Sequence, residues 1–292
     1  MKAHTFLALS AALLVLALPR PAAAEGTTAA QFLNISIGAR SFAMGEAYVA
    51  IADDPSALYW NPAGLTAAKN VDAMVTHSFW LLDMSYQHAG AVLPTGIGHF
   101  ALGVTYSSSG EIPKIDNLIR VGEYSAYDGA VELAYARNIL HGLAVGVTGR
   151  YIFQKIENFS AETFAADVGI LWEVDALDGL RFGFAAQNVG PGMKFIEQSD
   201  PLPLRFRLGA ALARDEYALA LELDKTRDAD VRFGIGGEYV VLNTLAVRAG
   251  YSSSRTYSAG IGVMWKMLEL GYAFVPHPDI ESAHVISLRL RL

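Results

Sequence analysis

The sequence predicts an all-β protein: a transmembrane, antiparallel, up-and-down β-barrel of about 14 strands, with an N-terminal helical and irregular hatch segment in its lumen. Three observations predict it. The 292-residue chain is 52% hydrophobic and 17% charged, yet beyond its first 24 residues no apolar run is long enough for a spanning helix. From Val71 onward, large apolar residues alternate with small or polar ones, which is the period of a strand. The smaller face is rich in Gly and Ala with scattered charges, unlike the Lys, Glu, Ser and Thr that a soluble sandwich turns to water.

Composition also excludes several classes. The apolar fraction is too high for disorder. With no cysteine, a disulfide scaffold, a cysteine-ligated metal centre and a lipid-anchored N-terminus are all excluded. Twenty-two basic against 29 acidic residues provide no phosphate-neutralising excess, so no nucleic-acid partner is expected.

Residues 1–24 read as a secretory signal peptide: Lys2, an apolar run from Phe6 to Leu18, a break at Pro19, and Ala22-Ala23-Ala24 before the cut. Residues 25–70 do not alternate. Asp54-Pro55 reads as an N-cap with proline in the first turn, predicting a short helix over Ser56 to Trp60, and Asn61-Pro62 repeats the device. Met44, Leu58, Tyr59 and Trp60 need an apolar place to pack, and the lumen of a barrel supplies one.

Residues 71–292 form the barrel. The alternating segments are 71–79, 83–93, 97–107, 124–137, 142–154, 162–173, 179–188, 203–213, 216–224, 230–239, 243–252, 256–265, 267–275 and 283–292. The two longest connections, 108–123 and 189–202, both follow odd-numbered segments and so emerge at one end, while turns after even-numbered segments are short. That asymmetry is the one bacterial barrels show between outer loops and periplasmic turns. Tyr106, Tyr127, Tyr151, Phe153, Tyr217, Tyr239, Tyr251, Trp265, Tyr272 and Phe274 sit near segment ends, as interfacial girdles do.

The inward face carries a charge pattern. Arg205 and Arg207 lie on the segment next to Glu222 and Asp224, and Arg289 and Arg291 next to Glu269, so a ladder of cross-strand ion pairs lining the lumen is expected. Leu221, facing lipid, is expected to tolerate Arg worse than Glu222 tolerates Gln. Asp53 and Asp54 are adjacent carboxylates better suited to capping than to acid–base work, and Asn61, Pro62 and Gly64 fix the hatch turn, where gating would act. Seven histidines are scattered, with His77, His277 and His284 near one end, and no metal site is expected from them. The Gly234/Gly236 and Gly260/Gly262 pairs fall on the inward face of strands with no helix following, so they are not phosphate loops. No nucleophile motif occurs; neither catalysis nor a cofactor is expected.

The run from Gly38 to Leu65, with Gly38-Ala39-Arg40, Met44-Gly45, Ala52-Asp53-Asp54 and Asn61-Pro62-Ala63-Gly64, resembles the PorV/PorQ family of outer-membrane proteins. That family is related to the FadL long-chain fatty-acid transporters, whose hatch carries a similar Asn-Pro-Ala element. His77 to Trp80, Gln187 to Pro191, Ser199 to Leu204 and Arg248 to Tyr251 are similar too. The resemblance implies a fourteen-stranded plugged barrel in the bacterial outer membrane, with outer-membrane lipid and the barrel-assembly machinery as partners. It also implies a role in protein export or surface presentation with secretion-system components, with FadL-like passage of a hydrophobic ligand, or a structural barrel without transport, as the alternatives. The loops are shorter than those of cargo-binding members, and Leu292 stands where barrels usually end in an aromatic.

Overall fold

The computed structural model describes residues 27–79, 84–116, 119–254, 256–276 and 282–292. The signal-peptide segment, Trp80 and His277 lie outside them. Fourteen strands close a barrel: β1 Asp72–Phe79, β2 Ser85–Thr95, β3 Gly98–Ser108, β4 Ala126–Leu140, β5 Leu143–Ile156, β6 Phe159–Glu173, β7 Leu180–Val189, β8 Arg205–Ala213, β9 Tyr217–Thr226, β10 Arg232–Val241, β11 Leu245–Ser252, β12 Thr256–Trp265, β13 Leu268–Val275 and β14 Ala283–Arg291. Each pairs antiparallel with its chain neighbours, and β14 returns to β1 in register from Asp72 opposite Arg291 to Phe79 opposite His284. No sheet edge is left, so every strand can satisfy its backbone groups within the wall.

The alternation sets the two faces. Along β9, Leu219, Leu221 and Leu223 point outward and are 45–58% exposed, while Ala218, Ala220, Glu222 and Asp224 are buried inside. The segments 109–125 and 190–204 emerge at one end, hereafter the loop end; the connections after even-numbered strands lie at the other, the turn end. Both long loops carry strands of their own, which the sequence reading left as irregular: a hairpin of Ile112–Asp116 with Ile119–Tyr124, and Met193–Lys194 with Ser199–Asp200. These pieces are too short to register as a period.

Inside the wall lies the N-terminal segment, with two short helices, α1 Ala39–Ala43 and α2 Ala57–Trp60, and two 3-10 turns, Gln31–Asn34 and Pro62–Ala67. Phe42, Met44, Tyr48, Ile51, Leu58, Trp60 and Leu65 are at most 1% exposed, so this plug takes the place a hydrophobic core holds elsewhere. It approaches the wall backbone to backbone: a Cβ on Gly250 would stand 2.1 Å from the nitrogen of Gly45, itself at φ +62°. One local expectation needs correction. Helix α2 begins at Ala57, not Ser56, and no side chain caps it. The Asp54 carboxylate instead turns back to accept the Ser56 N–H at 2.8 Å and the Ser56 hydroxyl, an Asx turn that competes with the cap. Asn61 does cap the next turn, accepting from the Ala63 N–H with Pro62 following.

Candidate functional site

The site is the interface between plug and wall. Because β8 and β9 are neighbours with fixed inward parity, their charges meet: Arg207 Nη1 is 2.6 Å from Glu222, and Arg205 Nε is 2.8 Å from Asp224. These pairs also hold the plug. The second Glu222 oxygen accepts the backbone N–H groups of Tyr48 and Val49, both at 2.7 Å. The Arg207 guanidinium lies 4.2 Å over the Trp60 ring, and Arg205 donates to the Tyr59 hydroxyl at 3.1 Å. Gln187 on β7 donates to the Tyr59 carbonyl.

A second cluster lies toward the turn end. Glu269 accepts from Arg248 at 2.8 Å and Arg291 at 2.9 Å, with Arg289 at 3.9 Å. Arg289 forks between Asp72 on β1, at 2.6 Å, and the Asp53 carbonyl of the plug, at 2.9 Å. Arg40 of the plug bridges Asp53 at 2.5 Å and Glu238 on β10 at 2.8 Å. Burial opposes ionisation of Asp53, but Arg40 and Arg289 hold its carboxyl below the usual carboxylate range. Asp53 and Asp54 therefore serve different contacts: Asp54 shapes its own turn and accepts from the Tyr48 hydroxyl at 2.7 Å. Asn61 donates to Val49 and, at 3.0 Å, to the Ile170 carbonyl on β6, and Pro62 packs against Gly146 and Gly169 of the wall. A Cβ at Gly64 would collide with the Ala52 carbonyl at 1.8 Å, so only glycine closes that turn.

Sequence reasoning missed two groups. Glu238, Arg248 and Asp72 share the inward parity of the expected ladder: Arg248 joins Glu238 to Glu269 and Asp72 takes Arg289, while Glu238 also takes Arg40 of the plug, whose position no strand pattern reveals. The other group crosses β2 to β7: His88, Glu132, Arg150, Asp167 and Asn188, all buried. Arg150 holds Glu132 at 2.7 Å and Asp167 at 2.8 Å and donates to Asn188 at 2.7 Å. His88 Nδ1 bonds Thr105 at 3.0 Å and lies 3.8 Å from Glu132 Oε2, whereas His88 Nε2 and Glu132 Oε2 have no hydrogen-bond partner. An orphaned buried polar atom costs about 1–3 kcal/mol. Glu132, Arg150 and Asp167 stand on consecutive strands among other charged residues, and only the observed register shows that they meet.

The contacts are uneven around the barrel. Ion pairs and hydrogen bonds fix the plug to β5–β10, β12 and β14. Toward β1–β4, among the described residues, the tie is a single hydrogen bond from His99 to the Ala68 carbonyl at 3.0 Å. On that side Gly90 and Gly103 face each other across β2 and β3, flanked outside by Ala89, Ala91 and Leu102. There the membrane face carries an apolar groove of about 460 Å³, with the Leu58 side chain against both glycines on the inner face. At the turn end, a polar vestibule of about 820 Å³ reaches inward to Arg40 and Asp53. At the loop end, residues 28–34 strap the mouth: Asp228 accepts from the Thr28 N–H and hydroxyl and from Gln31, and Ala30 donates to Gln154. Burial raises the Asp228 carboxyl, but the Thr28 and Gln31 bonds outweigh it and hold it below its ordinary value. His77 accepts from or donates to Gln87 and His284 pairs with the Tyr272 hydroxyl; among the described residues no three potential ligands gather to hold a metal.

No family model matches the chain, and no curated protein matches it. Solved structures do. The Pseudomonas putida toluene transporter TodX is similar over 87% of this chain and 96% of its own, with a TM-score of 0.64 and 12% identity. The TodX deltaS2S3 mutant, a monoaromatic hydrocarbon channel, is similar over 88% and 99%, with a TM-score of 0.66 and 13% identity. A Pseudomonas aeruginosa FadL homologue is similar over 87% and 98%, with a TM-score of 0.60 and 12% identity. At these identities the likeness is one of fold: a FadL-like transmembrane barrel.

Proposed function

We propose that the protein is an outer-membrane channel for hydrophobic small molecules, its loop end outside the cell and its turn end in the periplasm. The observation that carries this reading is the asymmetric seam. A lumen lined by ion pairs opposes an axial apolar path, but the pairs lie mainly along β4–β14, while β1–β3 offer an apolar groove backed by two glycines and Leu58. A solute entering at the loop end would travel along the inner face of β1–β3, past Leu58, between plug and wall. The fold it shares with a toluene transporter and a FadL homologue supports the same reading. Uptake of labelled decane or 1-decanol by cells carrying the protein in the outer membrane should exceed uptake of the same compound by cells lacking it. Equal rates would remove the proposal.

A second reading is a PorV/PorQ-type role in protein export or surface presentation. The loop-end hairpin favours it, with Ile115, Ile119 and Val121 each more than half exposed. Loss of exported surface proteins on deletion of the gene, with decane and 1-decanol uptake both unchanged, would favour this reading over the channel.

A further inference from the structure

We infer that the seam selects apolar molecules carrying one neutral hydroxyl group, a proposal that rests on the channel reading and names its substrate class. Two buried polar atoms without partners border the same few ångströms of wall. A Cβ built on Gly103 would stand 2.7 Å from Glu132 Oε2, and one built on Gly90 would stand 3.1 Å from His88 Nε2. Both would also touch Leu58 Cδ1, at 3.0 and 3.1 Å. Displacing that one side chain therefore exposes a carboxylate oxygen and an imidazole nitrogen on the inner face of the wall, between plug and β2–β3. A third orphan, the Ser78 hydroxyl, is buried on the adjoining strand β1.

The atoms define what they can bind. Glu132 keeps its other oxygen on Arg150, so the free one can only accept and requires a donor. His88 Nε2 accepts in one tautomer and donates in the other, because Nδ1 already shares a bond with Thr105. With Nδ1 accepting from Thr105, Nε2 carries the ring proton, and a single hydroxyl then donates its one proton to Glu132 and accepts from His88. A pure hydrocarbon leaves them unpaired. A carboxylate brings a negative charge to Glu132 and offers it no proton. Long-chain alcohols fit; alkanes and alkanoates do not. Discrimination of this kind is strong where buried polar groups are otherwise left unpaired.

The test compares labelled decane, 1-decanol and decanoate on the full protein in lipid nanodiscs, with empty nanodiscs subtracted. Wild type should bind decanol at least about tenfold more tightly than decane or decanoate. In Glu132→Gln and His88→Leu, decanol binding should fall at least about fivefold while decane binding is unchanged. Heat-modified mobility on gels shows whether each variant is folded, and wild-type selectivity tests the proposal even if neither variant folds. Equal binding of decane and decanol, a preference for decanoate, or variants that keep the wild-type ratio would each overturn it. Cellular uptake measured alongside separates the two readings. Decanol-selective binding without uptake removes the channel and leaves the site; uptake of all three with equal binding removes the site and leaves the channel.

Discussion

Glu222 accepts from Arg207 and from two plug amides at once, which revises the expected ranking of substitutions at this point of β9. Leu221→Arg places a charge in lipid and should cost about 2–4 kcal/mol. Glu222→Gln leaves Arg207 buried without its counter-charge, a loss of about 3–5 kcal/mol, so it is not the milder change. The faces are as the alternation predicts; what the pattern could not express is that an inward side chain also anchors another segment. Urea unfolding in detergent should give comparable losses for the two, and only Glu222→Gln should raise ion conductance through a loosened plug. Asp228 sets a second expectation. Its carboxyl is depressed in the folded state, so the strap's stabilisation is full above the unfolded value and is lost as pH falls through the folded one. A spin label at Asn34 should stay immobile at pH 5 and gain mobility only below about pH 4.

At the level of elements, the strands were legible because period two and neighbour pairing are both local rules. Adjacent strands of an up-and-down barrel must touch, so Arg205 and Arg207 could be placed beside Glu222 and Asp224 from order alone. The plug was legible as a non-alternating, apolar, capped segment, and its destination followed from its need for burial. Its docking was not, since Arg40 to Glu238 spans nearly 200 residues with no repeating pattern between. Nor could single residues such as His88 and Glu132 be joined without knowing which strand heights coincide. The glycines on the wall are where plug and barrel come closest. Gly250→Val would drive a side chain into the backbone of Met44 and Gly45 and should displace the plug from β11. Single-channel recordings should then show a larger and noisier conductance than wild type, and an unchanged trace would mean the contact is slack.

For the whole molecule, hydrophobicity and function are separated by face: outward residues match lipid, and inward residues match the plug. Removing residues 27–68 should leave the wall closed, because its hydrogen bonds run strand to strand, while replacing a blocked lumen by an aqueous pore. Planar-bilayer conductance should rise by at least about tenfold, as expected for an unplugged barrel. The fork made by Arg289 has a further consequence, for assembly. It joins the last strand, the first strand and the plug, three segments that meet only when the barrel shuts. Since the plug runs from the loop end to the turn end, it must already be threaded when β14 zips to β1. That final pairing has the longest sequence separation in the wall and is intrinsically slow. Arg289 thus acts as a latch on the closing step: Arg289→Met should lengthen the refolding time course in detergent and accumulate an open, protease-sensitive sheet before the closed form appears.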